Sequence, residues 1–372
     1  MPEGEAGVKA IIIGGGIGGL ASAAALVRRG WQVEVLERAP EFTEVGAGLS
    51  VWANGVRALD ALGVGEAIRR HAALEGQGGI QDNGGRWLAR TDQAELTRRY
   101  GPTVMIHRAD LLAVLRAAVP AEALRSGVTV NGVRPDGTVT HSAGESRADL
   151  VVGADGIHSI ARSSVWPDAP APRYVGYTAW RMITPPVPVG ESSESWGAGE
   201  RFGYVPLADG RVYCFATANA PEGTDGGGLA GLRRRFGGWH DPIPALLEAA
   251  DPGAVLHDDL YELPPLAAYT SGKVALVGDA AHAMTPNLGQ GAGQALEDAV
   301  VLAKTVDGPS GLDAYDRLRR TRTQKIALRS HRIGVAAQWA SPAAVTVRNT
   351  ALRLLPGSSF VRSLGPVLDW TA

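Results

Sequence analysis

The stretch Val8-Lys9-Ala10-Ile11-Ile12-Ile13-Gly14-Gly15-Gly16-Ile17-Gly18-Gly19-Leu20 decides how this chain folds. A short β-branched run through Ile13 has strand character, and the Ala- and Leu-rich residues 20–29 have helical length. Gly30 ends that helix, and residues 31–36 alternate back into strand character. Consecutive strands joined by a helix imply a parallel sheet with a right-handed crossover. The turn between them reads G-x-G-x-x-G. Gly14 permits the tight turn, Gly16 lets backbone approach a pyrophosphate, and Gly19 allows close packing of helix on strand. The helix N-terminus, at Ile17 and Gly18, offers unpaired N–H groups and a partial positive charge to phosphates. Glu37 ends the second strand 23 residues after Gly14, where a carboxylate can accept ribose hydroxyl hydrogen bonds. This motif by itself fits either a nicotinamide or a flavin dinucleotide.

Residues 10–27 are mostly apolar or small, as in a membrane segment. Five glycines within six residues interrupt them, and the leader MPEGEAG carries acids instead of a basic region. Both features argue against a signal peptide or a spanning helix, and no stable membrane association is expected. Across 372 residues, 36 basic and 38 acidic side chains leave a net charge of −2, which gives no electrostatic case for nucleic acid. With 45% hydrophobic and 20% charged residues the composition is that of a globular protein. The single cysteine, Cys214, excludes an intramolecular disulfide framework and any multi-cysteine metal site, and suits a reducing cytoplasm. No metal is expected.

Beyond the first unit, residues 54–70 suggest a helix broken at Gly63, and residues 76–100 suggest strands and turns. Residues 110–119 form a second helical stretch, 128–139 hairpin-like turns, and 150–152 a short buried strand. Residues 166–265, rich in proline, aromatics and short alternating runs such as FGYVPL and RVYCFAT, suggest an antiparallel sheet with GTDGGGLAG as a loop or hinge. A buried strand follows at 273–277, then a glycine loop and a helix over 293–306. The expected architecture is α/β: a nucleotide-binding unit of residues 1–75, 101–165 and 266–310, interleaved with a substrate sheet of residues 76–100 and 166–265. A C-terminal helical region follows at 311–372.

Two later segments repeat the strand-to-small-residue turn. Val151-Val152-Gly153-Ala154-Asp155-Gly156 is followed by Ser159 and Arg162. Leu276-Val277-Gly278-Asp279-Ala280-Ala281-His282 continues through Pro286 to Gly289-Gln290-Gly291-Ala292-Gly293 and Glu297-Asp298. The glycine-rich turn at 289–293, opening a helix, points N–H groups and a positive helix end outward. Such an end would stabilise the negative charge of a reduced flavin.

Three motifs in this order and at these separations resemble the class A FAD-dependent aromatic monooxygenases, the p-hydroxybenzoate hydroxylase-like group, over nearly the whole chain. Within that group the sequence is most similar to the urate, salicylate and 3-hydroxybenzoate hydroxylase branch. The resemblance implies a Rossmann-like FAD-binding domain interleaved with an antiparallel substrate domain, non-covalent FAD, and NAD(P)H and O2 as transient co-substrates. It further implies insertion of one oxygen atom into an aromatic or heteroaromatic ring through a flavin C4a-hydroperoxide. Carried over by position, the FAD contacts fall on Gly14, Gly16, Ile17, Gly18, Gly19, Glu37, Arg38, Asp155 and Asp279. Arg108 in HRADL matches an arginine near the FAD phosphates, and Gly48 and Ser50 in VGAGLSVW lie near the flavin position. The 289–293 turn adds Gly289, Gln290, Gly291, Ala292 and Gly293.

For the substrate, Arg201 and Tyr213 match positions that hold the ring in the urate-hydroxylating members, with Arg181 and Pro286 as further catalytic-site candidates. An arginine pairs with a carboxylate or enolate, and a tyrosine hydroxyl orients or deprotonates a phenol. Arg181 and Met182 stand where the urate branch is polar and smaller, which weighs against urate itself. His282 reads either as a group near the flavin or as a structural histidine. No second strand–GxGxxG–helix unit exists, so NAD(P)H is expected to bind without a Rossmann domain of its own. The WxWxIP segment of flavin halogenases is absent. A flavin oxidoreductase without oxygen insertion, a tailoring oxygenase of a larger polycyclic compound, and a ligand-binding sensor remain alternatives. The expected assembly is a cytoplasmic monomer or homodimer.

Overall fold

The computed structural model describes residues 7–42, 48–74, 77–306 and 311–372, so the leader through residue 6 and residues 45–47 of VGAGLSVW lie outside the described residues. Strand Lys9–Ile13 sits inside a six-stranded sheet, flanked by Gln32–Leu36 on one side and Leu150–Gly153 on the other. Val274–Leu276 pairs in parallel beyond Leu150–Gly153, and Leu124–Arg125 beyond Gln32–Leu36. Only Thr270–Ser271, at one edge, runs antiparallel. Three segments far apart in sequence therefore end side by side: Ile13 at Gly14, Gly153 at Ala154 and Asp155, and Leu276 at Val277 and Gly278. In an open parallel sheet the crevice at the carboxyl ends of the strands is the ligand position.

Helix Ile17–Val27 packs directly behind the glycine turn. Its Leu20, Ala21, Ala23, Ala24 and Leu26 are at most 1% exposed. A Cβ on Gly19 would stand 1.9 Å from the Gly14 carbonyl oxygen, so the third glycine of the motif is required by backbone-to-backbone approach. Gly14 itself has φ +103°, a region that favours glycine. Burying the Leu20 and Leu26 side chains contributes roughly 1.5–3 kcal/mol each before ordering costs.

The second layer is a seven-stranded sheet in the order Leu256–Glu262, Arg173–Thr184, Val212–Asn219, Glu200–Pro206, Ser192–Trp196, Gly78–Asp82, Trp87–Thr91. All its pairings are antiparallel except that of Ser192–Trp196 with Gly78–Asp82. Its register sorts the side chains onto two faces. Trp180, Met182, Phe202, Tyr204, Cys214 and Ala216 point to one side and form a core with Leu232, Phe236, Ile243 and Leu246. Arg181, Arg201, Tyr213, Phe215 and Thr217 belong to the other face, because Arg181 is registered with Phe215 and Arg201 with Thr217. A small third sheet pairs Gly48–Val51 and Ala73–Leu74 with Val104–His107.

Three local expectations change. Residues 93–100 are a helix, not strand and turn, with Asp92 capping it by accepting from Glu95 N at 2.8 Å. The GTDGGGLAG stretch is a loop only in its first half, since Gly228–Phe236 is helical, and Ile243–Ala249 adds another helix to what read as pure sheet. The helix after the last glycine loop spans Gly291–Thr305, two residues earlier than its pattern suggests. The C-terminal region is helical: Leu312–Ala337, Pro342–Leu354, Gly357–Ser363 and Gly365–Leu368.

Candidate active site

A cavity of about 530 Å³ opens at the carboxyl ends of the three central strands. Gly14, Gly16, Ile17 and Gly18 line it from the first turn, Glu37 and Arg38 from the second strand, and Asp155 and Gly156 from the middle motif. Gly278, Asp279, Pro286, Gly289, Gln290, Gly291 and Ala292 line it from the third, and Arg108, the first residue of helix Arg108–Ala117, completes the wall. Two of the helix N-termini at this wall, those of Ile17–Val27 and Gly291–Thr305, follow glycine-rich turns. That places unpaired N–H groups and two partial positive charges in one crevice.

Four of the expected cofactor residues do not line it. Gly19 faces Gly14, and Gly293 faces Asn54 and Gln290. Gly48 faces the Tyr213 ring, with Leu49, not Gly48 or Ser50, turned to the cavity. The alternation of a strand explains this: neighbours point to opposite faces.

The acids have built-in partners. Glu37 accepts from Gly15 N at 2.6 Å with one oxygen and from Ala39 N at 2.8 Å with the other, which fixes the glycine turn. Each oxygen keeps a lone pair for a further donor. Asp155 accepts from the Ser159 hydroxyl at 2.5 Å and from Ile160 N at 2.7 Å and Ala161 N at 3.0 Å, so it orders the start of helix Ile160–Val165. Arg162, 4% exposed, donates to the Ala280 carbonyl at 2.9 Å and thereby ties the middle motif to the third. The Asp279 side chain faces the cavity, where enclosure by protein raises its carboxyl above the usual range while His282 and Arg108 oppose the rise.

Behind the 289–291 turn lies a buried charge network that sequence reading missed. Glu297 and Asp298 are 0% exposed, and Arg319 bridges them at 2.5 and 2.6 Å. Arg322 adds a contact to Glu297 at 2.7 Å. Asn54 donates to Glu297 at 2.7 Å and to Gln290 at 2.9 Å, which reaches the cavity wall. Asp298 accepts from Gly278 N at 2.8 Å and pairs with His282 Nε2 at 2.6 Å. His282 is thus a structural histidine that braces the Gly278 loop. Burial alone would raise the Asp298 carboxyl, but His282, Arg319 and the Gly278 N–H together hold it down at about 2. The signal for this network was the acidic pair in an otherwise apolar helix, since fully buried carboxylates need partners.

On the facing sheet, burial pushes the Tyr213 hydroxyl up to about 12, with Arg181 and Arg108 opposing. Arg181 pairs with Asp258, and its Nε is buried without a hydrogen-bond partner. Arg201 is 3% exposed, and of the four catalytic-site candidates Pro286 lines the cavity whereas Arg181, Arg201 and Tyr213 do not. The Arg201 guanidinium meets Glu194 at 3.1 Å, Thr217 at 3.0 Å and Gln338 at 3.1 Å, and lies 5.6 Å from the Tyr177 ring centroid.

A dinucleotide cofactor fits the cavity. A Cβ on Gly16 would meet nothing within 4 Å, which leaves the approach a pyrophosphate needs, and the second helix N-terminus stands on the third motif. Among the described residues no group of three or more His, Cys, Asp or Glu could hold a metal, and no helix is long and apolar enough to cross a membrane.

Comparison with known proteins agrees with this geometry. A family described as FAD binding domain matches residues 7–194 and 265–330. The chain is 40% identical to aurachin C monooxygenase/isomerase of Stigmatella aurantiaca, over 94% of this chain and 95% of that protein. It is 33% identical to 2-heptyl-3-hydroxy-4(1H)-quinolone synthase of Pseudomonas aeruginosa, over 94% of each. A Klebsiella pneumoniae protein solved with FAD and uric acid superposes with a TM-score of 0.90 at 29% identity, over 97% of this chain and 96% of that one.

Proposed function

The chain belongs to the class A FAD-dependent aromatic monooxygenases, and we propose that it hydroxylates an uncharged heteroaromatic ring held between the FAD cavity and the facing sheet. The class is that of an enzyme using NAD(P)H and O2 on aromatic or heteroaromatic small molecules. The overall balance is substrate, O2, NAD(P)H and a proton giving hydroxylated substrate, NAD(P)+ and water. Bound FAD would supply the redox chemistry, accepting hydride and activating O2.

The chain's own residues do the rest. Gly14, Gly16 and Gly18 with Glu37, Arg38 and Arg108 would hold the adenosine and pyrophosphate end, and Asp279 with the 289–292 backbone the remainder. The N-terminus of Gly291–Thr305 would favour negative charge on the cofactor. Tyr213, neutral until about pH 12, serves as a hydrogen-bond donor to the ring's oxygen and not as a base. Pro286 and Leu49 wall the site and limit water.

The observation that carries the substrate reading is the pairing of Arg201 with Glu194: its charge is already met inside the protein. An anionic substrate would find that arginine engaged. A quinolone, the ring named for the Pseudomonas relative, has the required neutral, electron-rich character. The chain is read as a cytoplasmic monomer or homodimer.

The test is aerobic NADH and NADPH oxidation by FAD-loaded protein against phenols, aryl carboxylates, indoles, purines and quinolones, with mass spectrometry under 18O2. Oxidation stimulated by a quinolone, with a one-oxygen labelled gain, supports the reading. Labelled product from an aryl carboxylate alone would reject it.

A further inference from the structure

Two amide side chains and two acceptors close a ring behind the FAD cavity. Asn54 Nδ2 donates to Gln290 Oε1 at 2.9 Å and to Glu297 Oε1 at 2.7 Å. Gln294 Nε2 donates to the same two oxygens, at 3.0 Å each. None of the four residues is more than 1% exposed, and hydrogen bonds made away from water are the stronger for it.

The orientation of every amide is fixed by its neighbours. Arg319 donates to Gln294 Oε1 at 2.8 Å, which turns the Gln294 amino group toward Gln290 and Glu297. Glu297, paired with Arg319 and Arg322, only accepts, so Asn54 meets it with its own amino group. Gln290 faces two donors and therefore offers its oxygen. A flip of any one amide would set donor against donor or acceptor against acceptor.

The ring joins two walls of the cavity. Asn54 stands in helix Ala53–Ala61, which follows the strand whose Leu49 lines the cavity. Gln290 immediately precedes helix Gly291–Thr305 and lines the cavity itself. The backbone N–H groups of Gly291 and Ala292 begin that helix, so they have no acceptor within it. Holding the Gln290 side chain from behind fixes where they point. The charge behind the turn is balanced, with Glu297 and Asp298 set against Arg319 and Arg322, so the positive end of the helix keeps its effect.

We infer that Asn54 is a positioning residue for reduction of the cofactor: by locking Gln290 to Glu297 it presets the Gly291 and Ala292 N–H groups for the negative charge that the flavin gains. The inference rests on the proposed placement of FAD against the 289–292 backbone. Donors already in place stabilise developing charge without reorganising as it appears. Asn54 does not line the cavity and acts through Gln290.

The experiment measures the two-electron midpoint potential of the flavin and the FAD dissociation constant in the full-length protein, without substrate. Asn54→Leu keeps the size of the side chain and removes the amide. Its potential should fall by ~30 mV, the equivalent of tenfold less favourable reduction, with flavin still bound. The potential reports the ratio of affinities for reduced and oxidised cofactor, which a general loosening of the fold leaves alone. Leu232→Ala, in the core on the far side of the facing sheet, should lower the melting temperature and keep the native potential. Gly291→Ala, whose Cβ meets no protein atom within 4 Å, should weaken FAD binding whatever the ring does.

A native potential in Asn54→Leu, or an equal fall in Leu232→Ala, overturns the inference. Weakened FAD binding in Gly291→Ala would in that case keep the placement of the cofactor and reject the ring alone. Native FAD binding in Gly291→Ala together with a native potential in Asn54→Leu would reject the placement as well. The substrate reading is untouched by either result, because no substrate is present.

Discussion

The Tyr213 ring lies against Gly48 so closely that a Cβ at position 48 would stand 2.5 Å from its Cγ. The small sheet bordering the FAD cavity and the sheet facing it therefore meet through a tyrosine that only glycine accommodates. Gly48→Ala must displace the ring. Overpacking of this kind costs roughly 1–3 kcal/mol. The expected outcome is a lower melting temperature and a fall in kcat/KM of about tenfold, with FAD still bound. Unchanged turnover would show that the ring position is immaterial.

Because burial holds Tyr213 neutral up to about pH 12, its ionisation should leave no limb in the kcat profile between pH 6 and 10. Tyr213→Phe should lower kcat without moving any apparent pKa in that range. A limb that disappears in the variant would make Tyr213 a base.

Gly16 and Gly19 belong to one motif but should fail differently. Gly16→Ala meets no protein atom within 4 Å, so the apoprotein should melt as the native one does while FAD affinity falls at least about tenfold, a cost of ~1.4 kcal/mol. Gly19→Ala drives a Cβ to 1.9 Å from the Gly14 oxygen and should destabilise the apoprotein itself. Calorimetry with and without FAD separates the two.

Glu194→Gln removes the carboxylate that offsets Arg201 at 3.1 Å. The uncovered charge should improve salicylate binding about fivefold or more, read from the flavin spectrum. Stability should fall, because a buried charge without its partner is costly.

The Asp298 carboxyl is depressed from 3.8 to about 2 in the folded protein. A lowered folded pKa gives stability that is present above about pH 4 and is lost as pH falls toward about 2. The gap in melting temperature between native protein and Asp298→Asn should therefore narrow across that interval. A constant gap would mean that the carboxylate's charge is not what the network uses.

What sequence could reveal divides along chain distance. The glycine turn at 14–19 and the strand ends at 153 and 276 were legible because each motif is local and each needs small residues. The helix at 93–100 was equally local: Asp92 and Glu95 are a capping pair, overlooked among turn-like residues. The helix over residues 228–236 was hidden by three consecutive glycines, the last of which is its first residue. Gln338 and Arg319 carried no local sign of their roles. Gln338 is 137 residues from Arg201, and Arg319 acquires meaning only when folding brings Glu297 and Asp298 to it. The partner that Arg201 finds in Glu194, seven positions away on the adjacent strand, likewise shows only once the two strands pair.

The chain passes from the cofactor sheet into the facing sheet at residues 78–91, returns, enters it again at 173–262, and returns once more. No single cut divides cofactor binding from substrate recognition, so no single crossover between genes could exchange one and keep the other. Relatives named for quinolone and aurachin chemistry accordingly match this chain over 94% of its length.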